Sequence, residues 1–361
     1  MKSLRLKFLH FIPLCFLLSF CTEPGYYCLD PDDEKPTQEK VTFKQIGLQG
    51  RIVYELTFKE NKLYAATDNG LYVRSLANNS SWQEIGLQGQ MVKTILFIPG
   101  GTCLASVSDP SKEQHKLYKA ENNSFNFKQV NTNFGGTAPE PINNMTFNPA
   151  TGEILGAGYN VVAKSTDKGT TWTPIYNDWQ WLATGLDFVQ LNPRTDDIWA
   201  GGQNGIEGFN LVKYSKATNT WQNWTNLIES PSTAKDIAFD KTNENRLIIG
   251  GEDGIIKTED NGATWTTIKH EPHSARFYFG VDFDRYNSNT IYAASWLKNF
   301  SDPQPLIVYI SENGGATWNE YKYKDENVFG GVWDMVQVKE RGKTKLFLGL
   351  YKGGVFEVTI D

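Results

Sequence analysis

Apolar residues fall along this chain in short alternating runs, each closed by a turn. A unit opens with an alternating strand, such as Ile95/Phe97, Met145/Phe147, Ile237/Phe239 or Val281/Phe283. A turn and a small-residue strand follow, as in Leu63-Tyr-Ala-Ala66, then a short loop and a strand such as Gly70-Leu-Tyr-Val73. A polar turn comes next, and a tryptophan starts the last strand. Period-two alternation bounded by Gly, Asn and Asp predicts strands and not helices. Four short antiparallel strands recurring about every 45 residues predict a β-propeller blade.

The polar turn is the most regular stretch. Ser165-Thr-Asp167-Lys-Gly169-Thr-Thr171-Trp172 reads S-x-D-x-G-x-T-W. It returns as Thr258-Glu-Asp260-Asn-Gly262-Ala-Thr264-Trp265 and as Ser311-Glu-Asn313-Gly-Gly315-Ala-Thr317-Trp318. Asp or Asn can bond the backbone two residues on, Gly supplies positive φ, and the Trp ring enters a hydrophobic gap. The tryptophan-position series is Phe43, Trp82, Phe127, Trp172, Trp221, Trp265 and Trp318.

Six complete blades are expected, at Ile52–Ile85, Met91–Val130, Ile142–Tyr176, Leu186–Leu227, Lys235–Lys269 and Tyr278–Tyr323. Long loops are expected at Ser106–Lys116 and Ser295–Pro305. A seventh blade starts near Val332 and has only three strands. Its fourth is expected at the other end of the chain. Phe43-Lys-Gln-Ile-Gly-Leu-Gln-Gly50 matches Trp82-Gln-Glu-Ile-Gly-Leu-Gln-Gly89, although Phe43 has no blade of its own. Residues 41–46 should therefore close the ring, leaving no free sheet edge. The expectation is an all-β, seven-bladed propeller spanning 41–361; six blades with a looser C-terminus is the alternative.

These octapeptides resemble the Asp-box, or bacterial neuraminidase repeat. The chain is similar in this respect to sialidase-type propellers, sortilin-type ectodomains, xyloglucan-cleaving tandem propellers and photosystem assembly propellers. The resemblance implies a fold and not one chemistry. It also implies that the Asp-box turns lie opposite the ligand-binding face. Ser165, Asp167, Gly169, Trp172, Asp260, Gly262, Trp265, Asn313, Gly315 and Trp318 are accordingly expected to be structural.

The N-terminus changes the cellular picture. Lys2, Arg5 and Lys7 precede a thirteen-residue segment from Phe8 to Phe20 that is apolar apart from His10, Pro13 and Ser19. This is too short to span a bilayer as an ordinary helix and reads as an export signal. Leu17-Leu-Ser-Phe-Cys21 resembles a bacterial lipoprotein box, which implies cleavage before Cys21 and lipidation of its thiol. Phe20 departs from the small residue usual there; an ordinary secretory peptide is the alternative. Residues 1–20 are thus the expected signal and 21–40 a flexible tether. Cys15 leaves with the signal; Cys28 and Cys103 could pair, but a buried free Cys103 is favoured.

Composition narrows the chemistry. The net charge is −6. Losing Lys2, Arg5 and Lys7 takes it to −9 (−6 minus 3). With no basic run, nucleic acid is not an expected partner. No C-x-x-C or H-E-x-x-H occurs, so no metal site or cofactor is expected. His270 and His273 have no specific ligand spacing and read as solvated or satisfied.

The irregular loops across the disc are the expected ligand-binding face. They hold Trp179, Trp181 and Asp178; Gly205–Phe209; Glu252 and Asp253; His270, Glu271, His273 and Arg276; Trp296, Lys298 and Phe300; Trp333 and Asp334; and Tyr351 and Lys352. Aromatic faces with a few charges suit a sugar ring or a peptide. The candidate binding residues are Trp179, Trp181, Glu252, Asp253, Arg276, Trp296, Trp333 and Tyr351; gap filling between loops is the competing reading for each ring. A sialidase would need an arginine cluster for the substrate carboxylate. Only Arg276, with Arg51 as a second candidate, reaches this face, and Arg51-Ile-Val53 lacks the proline of the sialidase opening motif. A two-carboxylate glycosidase could draw on Asp178, Asp236, Glu252, Asp253 and Asp334. The sequence favours a non-catalytic envelope lipoprotein, anchored to a membrane, monomeric, and binding a protein or a glycan. A glycoside hydrolase or lyase is the runner-up, and an assembly factor for a membrane complex is the third reading.

Overall fold

The computed structural model describes residues 40–361 apart from 78–79, 110–113, 131–139, 178–182, 206–207, 226, 229 and 273. The described residues form seven four-stranded antiparallel sheets with no helix. The N-terminal strand is β1 (Val41–Gly47). Blade one is β2 (Val53–Lys59), β3 (Lys62–Thr67), β4 (Gly70–Ser75) and β5 (Gln83–Gly86). Blade two is β6 (Val92–Ile98), β7 (Thr102–Asp109), β8 (Gln114–Ala120) and β9 (Lys128–Val130). Blade three is β10 (Asn144–Phe147), β11 (Ile154–Ala157), β12 (Val162–Ser165) and β13 (Thr173–Tyr176). Blade four is β14 (Ala183–Leu191), β15 (Ile198–Asn204), β16 (Phe209–Ser215) and β17 (Thr220–Asn223). Blade five is β18 (Asp236–Phe239), β19 (Leu247–Gly251), β20 (Gly254–Thr258) and β21 (Thr266–His270). Blade six is β22 (Phe277–Phe283), β23 (Ile291–Trp296), β24 (Ile307–Ser311) and β25 (Asn319–Lys322). Blade seven is β26 (Val332–Glu340), β27 (Lys343–Leu350) and β28 (Gly354–Ile360), completed by β1.

The closing strand pairs as its sequence match requires. Val41 lies opposite Ile360 and Phe43 opposite Val358. The repeated Ile-Gly-Leu-Gln-Gly segment repeats its backbone too: Gly47 and Gly86 have φ of 121° and 144°, and Leu48 and Leu87 of 56° and 57°. Six blades with a loose end are excluded, because the seventh sheet is complete.

Hydrophobic clusters bridge neighbouring blades, since each sheet must bury both faces. Leu104 and Leu117 of blade two pack with Ile142, Met145, Ile154 and Trp172 of blade three. Ile46, Phe347 and Val355 of blade seven pack with Val53, Leu56 and Leu63 of blade one, so the join is part of the core.

The octapeptides form the hydrogen-bonded turns their residues suggest. Asp167 Oδ1 accepts the N–H groups of Thr170 (3.0 Å) and Thr171 (2.8 Å), and Oδ2 accepts the Thr171 hydroxyl (2.7 Å). Asp260 receives the same pair from Thr264 at 2.8 and 2.6 Å. Asn313 keeps the geometry as an amide, accepting from Thr317 N–H (2.9 Å) and donating to its hydroxyl (2.9 Å). Gly169 has φ +81°, and a Cβ there would lie 2.5 Å from Leu104 of the preceding blade. That residue is glycine for both reasons. The ring of Trp172 is buried, and the Trp318 indole N–H donates to the Ile268 carbonyl 2.8 Å away on the preceding blade's outer strand.

Two expected loops are shorter than read. β7 runs through to Asp109, and β8 resumes at Gln114. The polar residues that suggested a loop are satisfied in the ladder, where Ser108 lies opposite His115 with Oγ and Nδ1 3.0 Å apart. Ser295 and Trp296 likewise belong to β23.

Candidate functional site

The first strand of each blade lines the axis of the ring. Its inner edge has no strand partner, so its backbone groups need other partners. Four side chains supply them. Glu55 accepts Ile95 N–H (3.2 Å), Asn144 accepts Val189 N–H (3.1 Å), Asp236 accepts Val281 N–H (2.8 Å) and Asp334 accepts Leu56 N–H (2.5 Å). Each bond reaches the next blade, joining blades one to two, three to four, five to six and seven to one. The residues at the matching position of blades two, four and six are Thr94, Phe188 and Gly280.

These carboxyls sit in a poorly solvated throat. Burial pushes Glu55 up to about 8 and Asp334 up to about 7, and lifts Asp236 well above the ordinary carboxylate range. The charge on Asp334 raises the other two further, while the hydrogen bonds to backbone N–H groups oppose the shift.

A cavity of about 1320 Å³ occupies this axis. At the end away from the octapeptide turns, its wall includes Tyr54, Lys93, Tyr159, Asp187, Gln203, Lys235, Phe279 and Trp333. Tyr54, Lys93, Asp187 and Trp333 stand where the inner strands change register, and these bulges turn an extra side chain toward the axis.

One side of the mouth is aromatic. Trp333 meets Tyr54 edge-on (5.2 Å between centroids) and stacks with Phe279 (5.5 Å, 22°). Behind it Trp296 stacks with Tyr351 (5.2 Å, 21°), and Phe300 contacts both edge-on. Phe300 is 48% exposed at the outer end of this wall. The other side is polar. Lys235 Nζ holds Asp187 at 2.9 Å and Gln203 Oε1 at 3.2 Å.

Lys93 stands between the two sides. Its Nζ lies 3.6 Å from the centre of the Tyr54 ring and 6.0 Å from that of Trp333. Among the described residues no carboxylate reaches it within 4 Å. Burial lowers its pKa to about 8, and Asp109 only partly offsets this.

The expected site residues divide. Trp333 lines the channel and Tyr351 continues its aromatic wall. Trp296 is a correction: it is fully buried between Phe279, Trp333 and Tyr351, so it supports the wall and has no free face for a ligand. Arg276 is also not a free cation. Its Nε lies 2.9 Å from Glu271, and it donates to Ser295 Oγ at 3.0 Å. Glu252 accepts from Ser232 (2.8 Å) and Asp253 from Ser274 (3.1 Å), both on blade five's loop and apart from the channel wall. Asp236 and Asp334 are brought together with Glu55, and Glu252 and Asp253 are left out. Trp179, Trp181, Asp178, His273, Cys28 and Cys21 lie outside the described residues. Cys103 is a buried thiol, its pKa pushed up to about 12 by burial.

Sequence reasoning missed Tyr54, Glu55, Lys93, Asp187, Lys235 and Phe279. A signal exists in retrospect. Val53-Tyr-Glu-Leu56, Val92-Lys-Thr-Ile95 and Val332-Trp-Asp-Met335 each set a large or charged residue and then a polar one inside an apolar strand. Such an interruption is costly in a two-sided core unless the residue faces a channel.

Fold and channel define a seven-bladed β-propeller with an aromatic-and-polar mouth on its axis. No protein-family model matches the chain. The chain is 24% identical over 185 residues to a probable oligoxyloglucan-reducing end-specific xyloglucanase of Neosartorya fischeri, covering 48% of this chain but 21% of the fungal protein. It thus spans about a fifth of that relative's length. Among solved structures it is similar to the GH74 xyloglucanase of Xanthomonas campestris (TM-score 0.66, 13% identity, 87% of this chain and 53% of the other). It is also similar to a streptogramin B lyase (0.64, 13%, 89% and 98%) and to YCF48 bound to D1 peptide (0.61, 12%, 89% and 96%). These likenesses establish the propeller fold. They span enzymes and a peptide-bound protein, so chemistry does not follow from them.

Proposed function

We propose that this chain is an exported envelope protein whose channel mouth binds a glycan without cleaving it. The observation carrying this reading is the aromatic wall from Tyr54 through Trp333 and Phe279, facing polar groups across one cavity. Sugar rings present apolar C–H faces to such rings, and Gln203, Asp187 and Lys235 can orient hydroxyls. The similarity to xyloglucan-acting proteins agrees with this ligand class.

Affinity electrophoresis and calorimetry against soluble xyloglucan and galacturonan test it. Trp333→Ala should weaken binding at least tenfold, about 1.4 kcal/mol. Retardation by no polysaccharide would overturn the glycan reading and favour a protein partner.

A hydrolytic reading on the same site is favoured by one observation, the raised pKa of Glu55 and Asp334, a property glycosidase acids share. Against it, both carboxyls are already engaged by backbone N–H groups. Release of new reducing ends, lost in Glu55→Gln and Asp334→Asn, would establish catalysis.

Export and anchoring rest on Lys2, Arg5, Lys7 and the Leu17–Cys21 box. Cys21→Ser should release the protein from the membrane fraction. Its continued retention there would count against the anchor.

A further inference from the structure

We propose that the channel mouth selects an acidic glycan, with Lys93 pairing with a hexuronate carboxylate while the sugar ring lies against the Tyr54–Trp333 wall. This rests on the glycan reading above and adds the charge of the ligand.

Lys93 leaves β6 at a register shift, which aims its side chain at the cavity. The Tyr54 ring lies under its ammonium and Trp333 stands behind, so the stem is fixed and one side of the charge faces the channel. Aromatic faces attract a cation but do not neutralise it. Other channel cations are compensated. Lys235, the second lysine of the mouth, is matched by Asp187 at 2.9 Å. Lys93 has no such match among the described residues. The carboxyls below it, Glu55 and Asp334, form no ion pair with it and instead each hold a neighbouring blade's N–H.

A partly desolvated cation with no carboxylate in ion-pair contact among the described residues, and only the charge of Asp109 acting on it from farther off, is unfavourable, and its lowered pKa reflects that. A ligand carboxylate supplies the missing charge where water is scarce, so the pair is stronger than on an open surface. The neighbouring aromatic faces belong to the same cavity wall, so carboxylate and sugar ring can be recognised by one residue of a chain. A neutral glycan would fill the aromatic wall and leave the ammonium unmatched.

The test compares one glycan with and without its charge. Galacturonate oligomers, the same oligomers as methyl esters, and neutral xyloglucan oligosaccharides are titrated calorimetrically into the full chain. Wild type should bind the acid at least tenfold more tightly than the ester. Lys93→Met should abolish that difference, and Lys93→Arg should retain most of it. Equal affinity of wild type for acid and ester overturns the inference and leaves glycan binding intact. So does an acid preference that survives Lys93→Met. Binding of none of the three probes overturns the glycan reading itself. The wild-type acid-to-ester ratio needs no variant, so a misfolded Lys93→Met would not protect the proposal.

Discussion

A chain beginning at Leu48 should lose its cooperative unfolding transition, or melt more than 10 °C lower. Among the described residues the truncation removes only Lys40 and β1, yet this strand completes blade seven and buries Val41 and Ile46. Fully burying an aliphatic side chain is worth roughly 1.5–3 kcal/mol, so these two represent on the order of 5 kcal/mol, beside the loss of a whole ladder. Total stability of an ordinary domain is about 5–15 kcal/mol. The loss also spreads, because Ile46 packs in the cluster that joins blade seven to blade one. Trp82 would lose its acceptor, the Ile46 carbonyl at 2.9 Å, and β28 would become an open edge. Calorimetry of the truncated chain, with and without a peptide spanning residues 40–50, reads the effect. An unchanged melting temperature would show that the seventh blade does not depend on its fourth strand.

Stability should fall as pH rises from about 5 to about 8. Glu55 is raised from 4.5 to about 8, Asp334 from 3.8 to about 7 and Asp282 from 3.8 to about 6, each by burial. In this window the unfolded chain has released these protons and the folded chain still holds them. Folding then takes up protons, and stability declines with pH until the folded groups ionise. Lys93, lowered from 10.5 to about 8, is protonated in both states through most of this window and opposes the fall only near its upper end, where the folded chain releases that proton first. The opposite limit comes from Asp167, Asp260 and Asp284, held near 2 by their hydrogen bonds and, for Asp284, by Lys339. Their contribution is lost only as pH falls below about 4. Melting temperature should therefore peak near pH 4–5. Asp334→Asn, whose amide oxygen can still accept Leu56 N–H, should flatten the fall. A melting temperature that is level or rises between pH 5 and 8 would contradict the assignment of these carboxyls to a desolvated throat.

The channel's polar ring also explains why function and fold were unequally legible. Asp236 and Asp334 stood out as acids near the loop face, but nothing in their local sequence says that each would hold the next blade's backbone. That depends on which strand end arrives beside them. Trp296 shows the same limit. Its type and loop position suggested a binding ring, and three rings from blades six and seven bury it instead.

What the sequence determined by itself was the scaffold. The octapeptide turn is set by contacts within eight residues, so Asp167, Asp260 and Asn313 carry it wherever they occur. The tryptophan-position series counts the blades, and the Phe43 match announces a closing strand. Tertiary structure alone decided the site. Tyr54, Lys93, Asp187, Lys235 and Trp333 come from five blades and share no motif. They meet because seven inner strands converge on one axis and five of them bulge. Their chemistry follows from that convergence, which removes water from the throat, leaves one lysine with no carboxylate in ion-pair contact among the described residues and sets it against aromatic faces.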